Sequence, residues 1–137
     1  MVLLDGPQES NCFVCGEGNE KGMHVHFSYV AEHCRVFAET TVDEAWQGFS
    51  GIVHGGILAA LLDDAMWHAL WYEIRVMTMT AEIHVRYHKP ARIGLPLTVM
   101  GSATETRRRL ARAEARIEQQ NAVVATAQAV FLPTKDR

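Results

Sequence analysis

Ser50-Gly51-Ile52-Val53-His54-Gly55-Gly56-Ile57-Leu58-Ala59-Ala60-Leu61-Leu62-Asp63-Asp64-Ala65-Met66-Trp67-His68 is the stretch on which the reading of this chain turns. It is the one long segment that reads as helix, and it enters through a glycine pair. From Gly55 to about Trp71 such a helix runs roughly 24 Å, at about 1.5 Å per residue. Ile57, Leu58, Leu61, Leu62, Ala65, Met66, Ala69 and Leu70 cover nearly its whole circumference. A helix apolar all round is buried on most sides, here by a sheet on one side and a partner subunit on the other.

Two adjacent carboxylates in such a helix need an explanation, because an unpaired buried charge is costly. Asp64 has His68 one turn on, an i,i+4 pair that can satisfy it. Asp63 has only Ala59 and Ala60 one turn before it and Met66 and Trp67 one turn after. The small alanines leave space above it, an environment that raises a carboxyl pKa and shapes a pocket. The plainer reading is that Asp63 faces solvent or bonds to a loop. Gly55 and Gly56 bring free N–H groups and the positive end of the helix dipole to whatever approaches, a developing oxyanion included. Close packing alone also accounts for a glycine-rich helix entry.

Outward from the helix, strands dominate. His24, Val25, His26, Phe27, Ser28 and Tyr29 alternate, as do residues 35–42, with Ala31-Glu32-His33 as a short connection. Residues 43–51 form a loop. After the helix, Met79, Ala81, Ile83, Val85 and Tyr87 share one face of a strand over 77–87, and Pro90 and Gly94 mark a turn. Leu97, Val99, Gly101 and Ala103 share a face of the next strand. Residues 110–118 are rich in helix formers, but Ala111, Ala113, Ala115 and Ile117 alternate strictly with Arg112, Glu114, Arg116 and Glu118. That period of two predicts a half-exposed strand. Gln119-Gln120-Asn121 turns the chain into a last strand over 122–132. One long helix among five to six antiparallel strands predicts an α+β domain with the sheet wrapped on the helix.

With 137 residues, 48% hydrophobic and 21% charged, the chain suits one globular domain, 1–137. A net charge of −3 gives no reason to expect nucleic acid. No apolar run approaches the ~20 residues of a membrane helix, and no signal peptide is seen, so a soluble cytoplasmic domain is expected. Residues 1–22 read as an irregular lead-in. Its Cys12-Phe13-Val14-Cys15 suggests half a metal site, but His24, His26, His33 and Cys34 match no common zinc spacing. Buried thiols in a tight turn are expected instead, with no metal and no cofactor.

His54-Gly55-Gly56, followed by Asp63 nine positions after the histidine, resembles the hot-dog fold acyl-CoA thioesterases of the phenylacetate-pathway type. The strand block from Thr80 to Pro90 is similar to the strand that follows their helix. The lead-in from Cys12 to Gly22 looks like that of a subgroup with a Cys-x-x-Cys-Gly entry. The resemblance implies Asp63 as catalytic nucleophile or general base, and Gly55 N–H polarising the thioester carbonyl. It places His54 and Gly56 at the substrate, and a homodimer often doubled to a tetramer. Many relatives carry an asparagine six residues before the motif histidine; here Gly48 stands there, with Gln47 as the substitute. Where some carry a hydroxyl one turn beyond the acid, this chain has Trp67, which makes Thr80 the hydroxyl expected at the site. Gly55 and Asp63 are eight residues apart, roughly 12 Å along a helix. One thioester carbon cannot be within reacting distance of both; if both act on it, they come from different chains. Arg107, Arg108, Arg109 and Lys89 are candidates for the coenzyme A phosphates, though a solvated charge run explains them equally well. Two other readings stay open: a hot-dog domain that binds acyl-CoA without hydrolysis, and a hydratase or dehydratase using His54 with an acid.

Overall fold

The computed structural model describes residues 3–5 and 11–134. One antiparallel sheet wraps a single long helix, the hot-dog architecture. Its strands are β1 (Leu3–Asp5), β2 (Ser28–Val30), β3 (Arg35–Thr41), β4 (Thr78–Tyr87), β5 (Pro96–Thr106), β6 (Ala111–Gln119) and β7 (Ala122–Pro133), and the helix is α1 (Gly55–Ile74). The spatial order is β1-β2-β3-β5-β6-β7-β4, so β4 forms one edge. Two of the seven strands, β1 and β2, are three residues long. No described helix is long and apolar enough to cross a membrane.

The sheet face under α1 is paved with small residues. Ala113 pairs with Ala129, and the row Gly101–Ala115–Ala127 runs across three strands. This lets the helix backbone settle onto β5: a Cβ at Gly101 would lie 2.7 Å from the Ala65 carbonyl oxygen. The bulk of the core comes from the helix, through Leu58, Leu61, Leu62, Met66 and Leu70, which meet Val36, Leu97, Val99, Ile117 and Phe131. The helix is not covered evenly. Gly56 is exposed and Ala60, Asp63, Trp67 and Trp71 stay half-buried, a stripe at i,i+3 and i,i+4 spacing.

The strand expected over 110–118 is β6, with its alanines inward. Gln120 and Asn121 both take positive φ (51° and 64°), a two-residue turn of the kind whose twist suits a hairpin. Three expectations are corrected. The strand expected from His24 begins only at Ser28, because His24 adopts φ 53° and its Nε2 lies 2.6 Å from the Asn19 carbonyl. Val25 and Phe27 are buried as the alternation implies, but they pack under the lead-in outside the sheet ladder. The lead-in is not wholly irregular, since Leu3–Asp5 pairs with β2. Residues 1, 2 and 6–10 of it lie outside the described residues. Finally, Met79 does not share a face with Ile83. A bulge between Thr80 and Glu82 breaks the alternation, and Met79 is 65% exposed whereas Thr78 is buried. The helix runs three residues past Trp71 and stops where Arg75 turns left-handed at φ 53°.

Gly101→Ala is expected to destabilise the fold by about 1–3 kcal/mol, because the new methyl meets helix backbone that cannot rotate away. Urea unfolding of the variant beside Ala103→Gly, which adds no bulk at its site, measures the difference.

Candidate functional site

The amino-terminal end of α1 is built by its own residues. His54 is the N-cap, and its Nδ1 accepts the Gly56 N–H at 2.8 Å. The ring folds over Gly56 so closely that a Cβ there would lie 3.1 Å from Nδ1. The Ile57 and Leu58 N–H groups bond the His54 carbonyl at 2.9 and 3.2 Å. Gly55 N–H is then the first-turn donor with no partner among the described residues. Gly56, expected beside Gly55 at the substrate, has its N–H committed to the cap.

Two turns on, Asp63 is half-buried on the uncovered stripe, and Thr80 Oγ1 donates to its Oδ1 at 2.6 Å. Desolvation by burial pushes the Asp63 carboxyl up from its ordinary value of 3.8; the Thr80 bond opposes this and the neighbouring Asp64 charge adds to it. Thr80, the hydroxyl that the sequence offered, thus reaches Asp63 from β4. Tyr87, at the other end of β4, donates its hydroxyl to the Gly55 carbonyl at 2.8 Å. No sequence signal singled Tyr87 out; it is one aromatic in an alternating strand. One edge strand therefore touches both ends of the eight-residue interval.

The loop before the helix holds Gln47 and Gly48. Gln47 Oε1 accepts the Gly51 N–H at 3.0 Å, and Gly48 N–H bonds the Ile52 carbonyl at 2.8 Å. Both residues are exposed and lie before the helix, away from the Asp63 turn. Met66 is fully buried in the core, and Trp67 anchors β4 through an Nε1–H bond to the Thr78 carbonyl at 3.0 Å. Arg107 sits in the β5–β6 hairpin, paired with Glu105 at 3.0 Å, at the Thr80 end of the sheet. Lys89 follows Tyr87 at the opposite end. A groove of about 1150 Å³ on the outer sheet face is lined by Arg35, His84, Arg86, Glu114 and Arg116 among others, and by neither Asp63 nor Gly55.

Asp64 points elsewhere than Asp63. Its Oδ2 is 3.5 Å from His68 Nε2, the i,i+4 contact expected from the spacing. It also meets the lead-in: Cys12 Sγ lies 3.9 Å from Asp64 Oδ1, and Cys15 Sγ is in the same cluster. Cys12 thus meets an aspartate 52 residues on, a partner that the spacing of His24, His26, His33 and Cys34 does not signal.

The thioesterase superfamily model matches residues 50–126, more than half of the chain, from the loop before α1 into β7. The chain belongs to the thioesterase superfamily. A crystal structure of another thioesterase superfamily protein is 26% identical, with a TM-score of 0.81 over 90% of this chain; the chain spans only 60% of that protein's length. A phenylacetic acid degradation-related protein from Ralstonia eutropha JMP134 is 22% identical with a TM-score of 0.72, over 80% of this chain and 85% of its own. A protein from Streptococcus mutans UA159, solved with acetyl CoA bound, is 21% identical with a TM-score of 0.69, over 75% of this chain and 83% of its own. At these latter identities the likeness is one of fold. No match was found among curated proteins.

The raised Asp63 pKa has a definite sign for stability. The native state holds this proton more tightly than the unfolded chain, so stability falls as pH rises from the ordinary carboxyl value through the native one. Asp63→Asn keeps an acceptor for Thr80 and removes the buried charge. The variant should melt higher than the parent at neutral pH, and the gap should close as the pH falls below 3.8. Melting curves across that range test it; a gap that is independent of pH would contradict the assignment.

Proposed function

We propose that this thioesterase superfamily member hydrolyses an acyl-CoA thioester to the free acid and coenzyme A. The observation that carries the reading is the half-buried Asp63, its pKa raised and its carboxylate held by Thr80, on the same helix as the open Gly55 N–H. Asp63 either takes a proton from water as its oxygen attacks the thioester carbon, or attacks that carbon itself. The Gly55 N–H, with the helix dipole behind it, stabilises the oxyanion. As the carbon–sulfur bond breaks, the thiolate leaves and is protonated. The acetyl CoA held by the Streptococcus mutans relative supports the ligand class. No metal or organic cofactor is needed for this chemistry.

The site is completed by a second copy of the chain. Gly55 and Asp63 are too far apart, at roughly 12 Å along α1, to act on one carbon. Beside them, β4 is an edge strand ten residues long and largely exposed. An antiparallel pairing of two such edges about a two-fold axis at mid-strand sets the Thr80 half of one against the Tyr87 half of the other. Asp63 of one protomer then faces Gly55 of its partner, over the stripe that the chain leaves half-buried. The resemblance adds a doubling of this dimer to a tetramer. A hydratase needs His54 aimed at substrate opposite an acid, whereas its Nδ1 caps the helix. A purely binding domain gains nothing from a carboxylate beside anionic coenzyme A.

Asp63→Asn should lower kcat by about 10²–10⁴-fold with coenzyme A affinity retained. Gly55→Pro removes the N–H at a helix position where proline is tolerated. Each variant alone should be inactive. Mixed and re-equilibrated, they should recover about a quarter of parent activity, because each heterodimer owns one intact site. No recovery, or full activity in a monomer by sedimentation, would contradict the shared site. Label in the Asp63 carboxyl after a single turnover in heavy-oxygen water establishes nucleophilic attack, since water that opens the anhydride at the Asp63 carbonyl leaves its oxygen there. A panel of short, long and aryl acyl-CoAs identifies the acyl group.

A further inference from the structure

Behind α1, three metal-ligating side chains come together. Cys12 Sγ, Cys15 Sγ and an Asp64 carboxylate oxygen all lie within 4.8 Å of one another. The Gly16 N–H bonds the Cys12 carbonyl at 2.8 Å, closing a tight turn that brings both thiols to the helix. Cys15 is buried and Cys12 and Asp64 are partly so. His68, one helical turn beyond Asp64, is only 1% exposed. Among the described residues neither of its ring nitrogens has a hydrogen-bond partner, and the buried Asp64 Oδ2, 3.5 Å from its Nε2, has none either. Phe27, stacked at 4.9 Å, and Trp67, edge-on at 5.1 Å, hold the ring in place. Buried polar atoms left without partners are costly, so they call for a ligand.

The donor set states which. Two thiols, a carboxylate and an imidazole are the ligands zinc prefers. The pattern is a Cys-x-x-Cys turn plus Asp64-x-x-x-His68 on a helix, two pairs each at zinc-ligand spacing. In a tetrahedral zinc site, bonds of about 2.0–2.3 Å put donor atoms roughly 3.3–3.8 Å from one another. Asp64 stands between the thiols and the imidazole, with Oδ1 at 3.9 Å from Cys12 Sγ and the other oxygen, Oδ2, at 3.5 Å from His68 Nε2. His68 lies outside the group of three whose donor atoms are within 4.8 Å of one another, so its ring has to close on them to supply the fourth ligand. We propose that Cys12, Cys15, Asp64 and His68 bind a structural zinc ion that fastens the lead-in to the back of the helix. Four protein ligands leave no open position, so the ion has no part in hydrolysis, and the proposal does not rest on the thioesterase reading. Cys34, exposed and bonded to the Ala31 carbonyl, is outside the site.

Protein purified without chelator should carry about one zinc per chain by elemental analysis. Cobalt exchanged for zinc should show thiolate charge-transfer bands and the intense visible bands of tetrahedral geometry. Cys12→Ser/Cys15→Ser and Asp64→Asn should each lose the metal and the spectrum, and Cys34→Ser should keep both. Where the double variant fails to fold, parent protein stripped by a chelator supplies the same comparison: its melting temperature should drop, and added Zn²⁺ should restore it. Folded parent protein that takes up no zinc after dialysis against Zn²⁺ would overturn the proposal. So would cobalt spectra without charge transfer, or an intact mass two hydrogens light that maps to a Cys12–Cys15 disulfide.

Discussion

The contact between the Ala65 carbonyl and Gly101 is the constraint on which the rest of the structure depends. A helix can approach a sheet this closely only where the sheet has almost no side chain to offer, and the alanines of β6 and β7 extend that condition to either side. The price is that the sheet contributes little bulk, so leucines and methionine from the helix must supply the buried volume. With those residues turned toward the sheet, the small and polar ones fall on the opposite side. The Gly56–Ala60–Asp63 stripe is thus a by-product of packing.

Asp63 and Asp64 show how one turn of helix can serve two surroundings. Consecutive residues are set about 100° apart around the axis. That rotation carries one carboxylate to the half-open side, where Thr80 waits on β4, and the other to the lead-in and its thiols. Burial also pushes the Cys15 thiol up, with Asp64 and Cys12 adding to the effect.

Much of this was legible in the residues. The helix announced itself by length and composition, β6 by strict alternation, and the difference between the two acids by what stands one turn away from each. These are local signals, carried within about one helical turn or a few strand residues. What stayed hidden depends on residues distant in sequence or on a backbone angle. The left-handed His24 leaves the alternation of Val25 and Phe27 intact while removing the ladder. Cys12 meets Asp64 only because the lead-in folds behind α1. Tyr87 acquires meaning only when its hydroxyl is seen on the Gly55 carbonyl.

The bulge in β4 settles a matter of parity. The interval from Thr80 to Tyr87 is an odd number of positions, and in a regular strand they would point to opposite sides of the sheet. Thr80 lies opposite Phe131 and Tyr87 opposite Ala125, both inward-facing residues of β7. The single extra residue, Ala81, shifts the phase of the strand between them. Even-numbered positions face the helix before it and odd-numbered positions after it. A strand of unbroken phase offers the helix either the threonine or the tyrosine; this one, by being one residue out of step with itself, offers both.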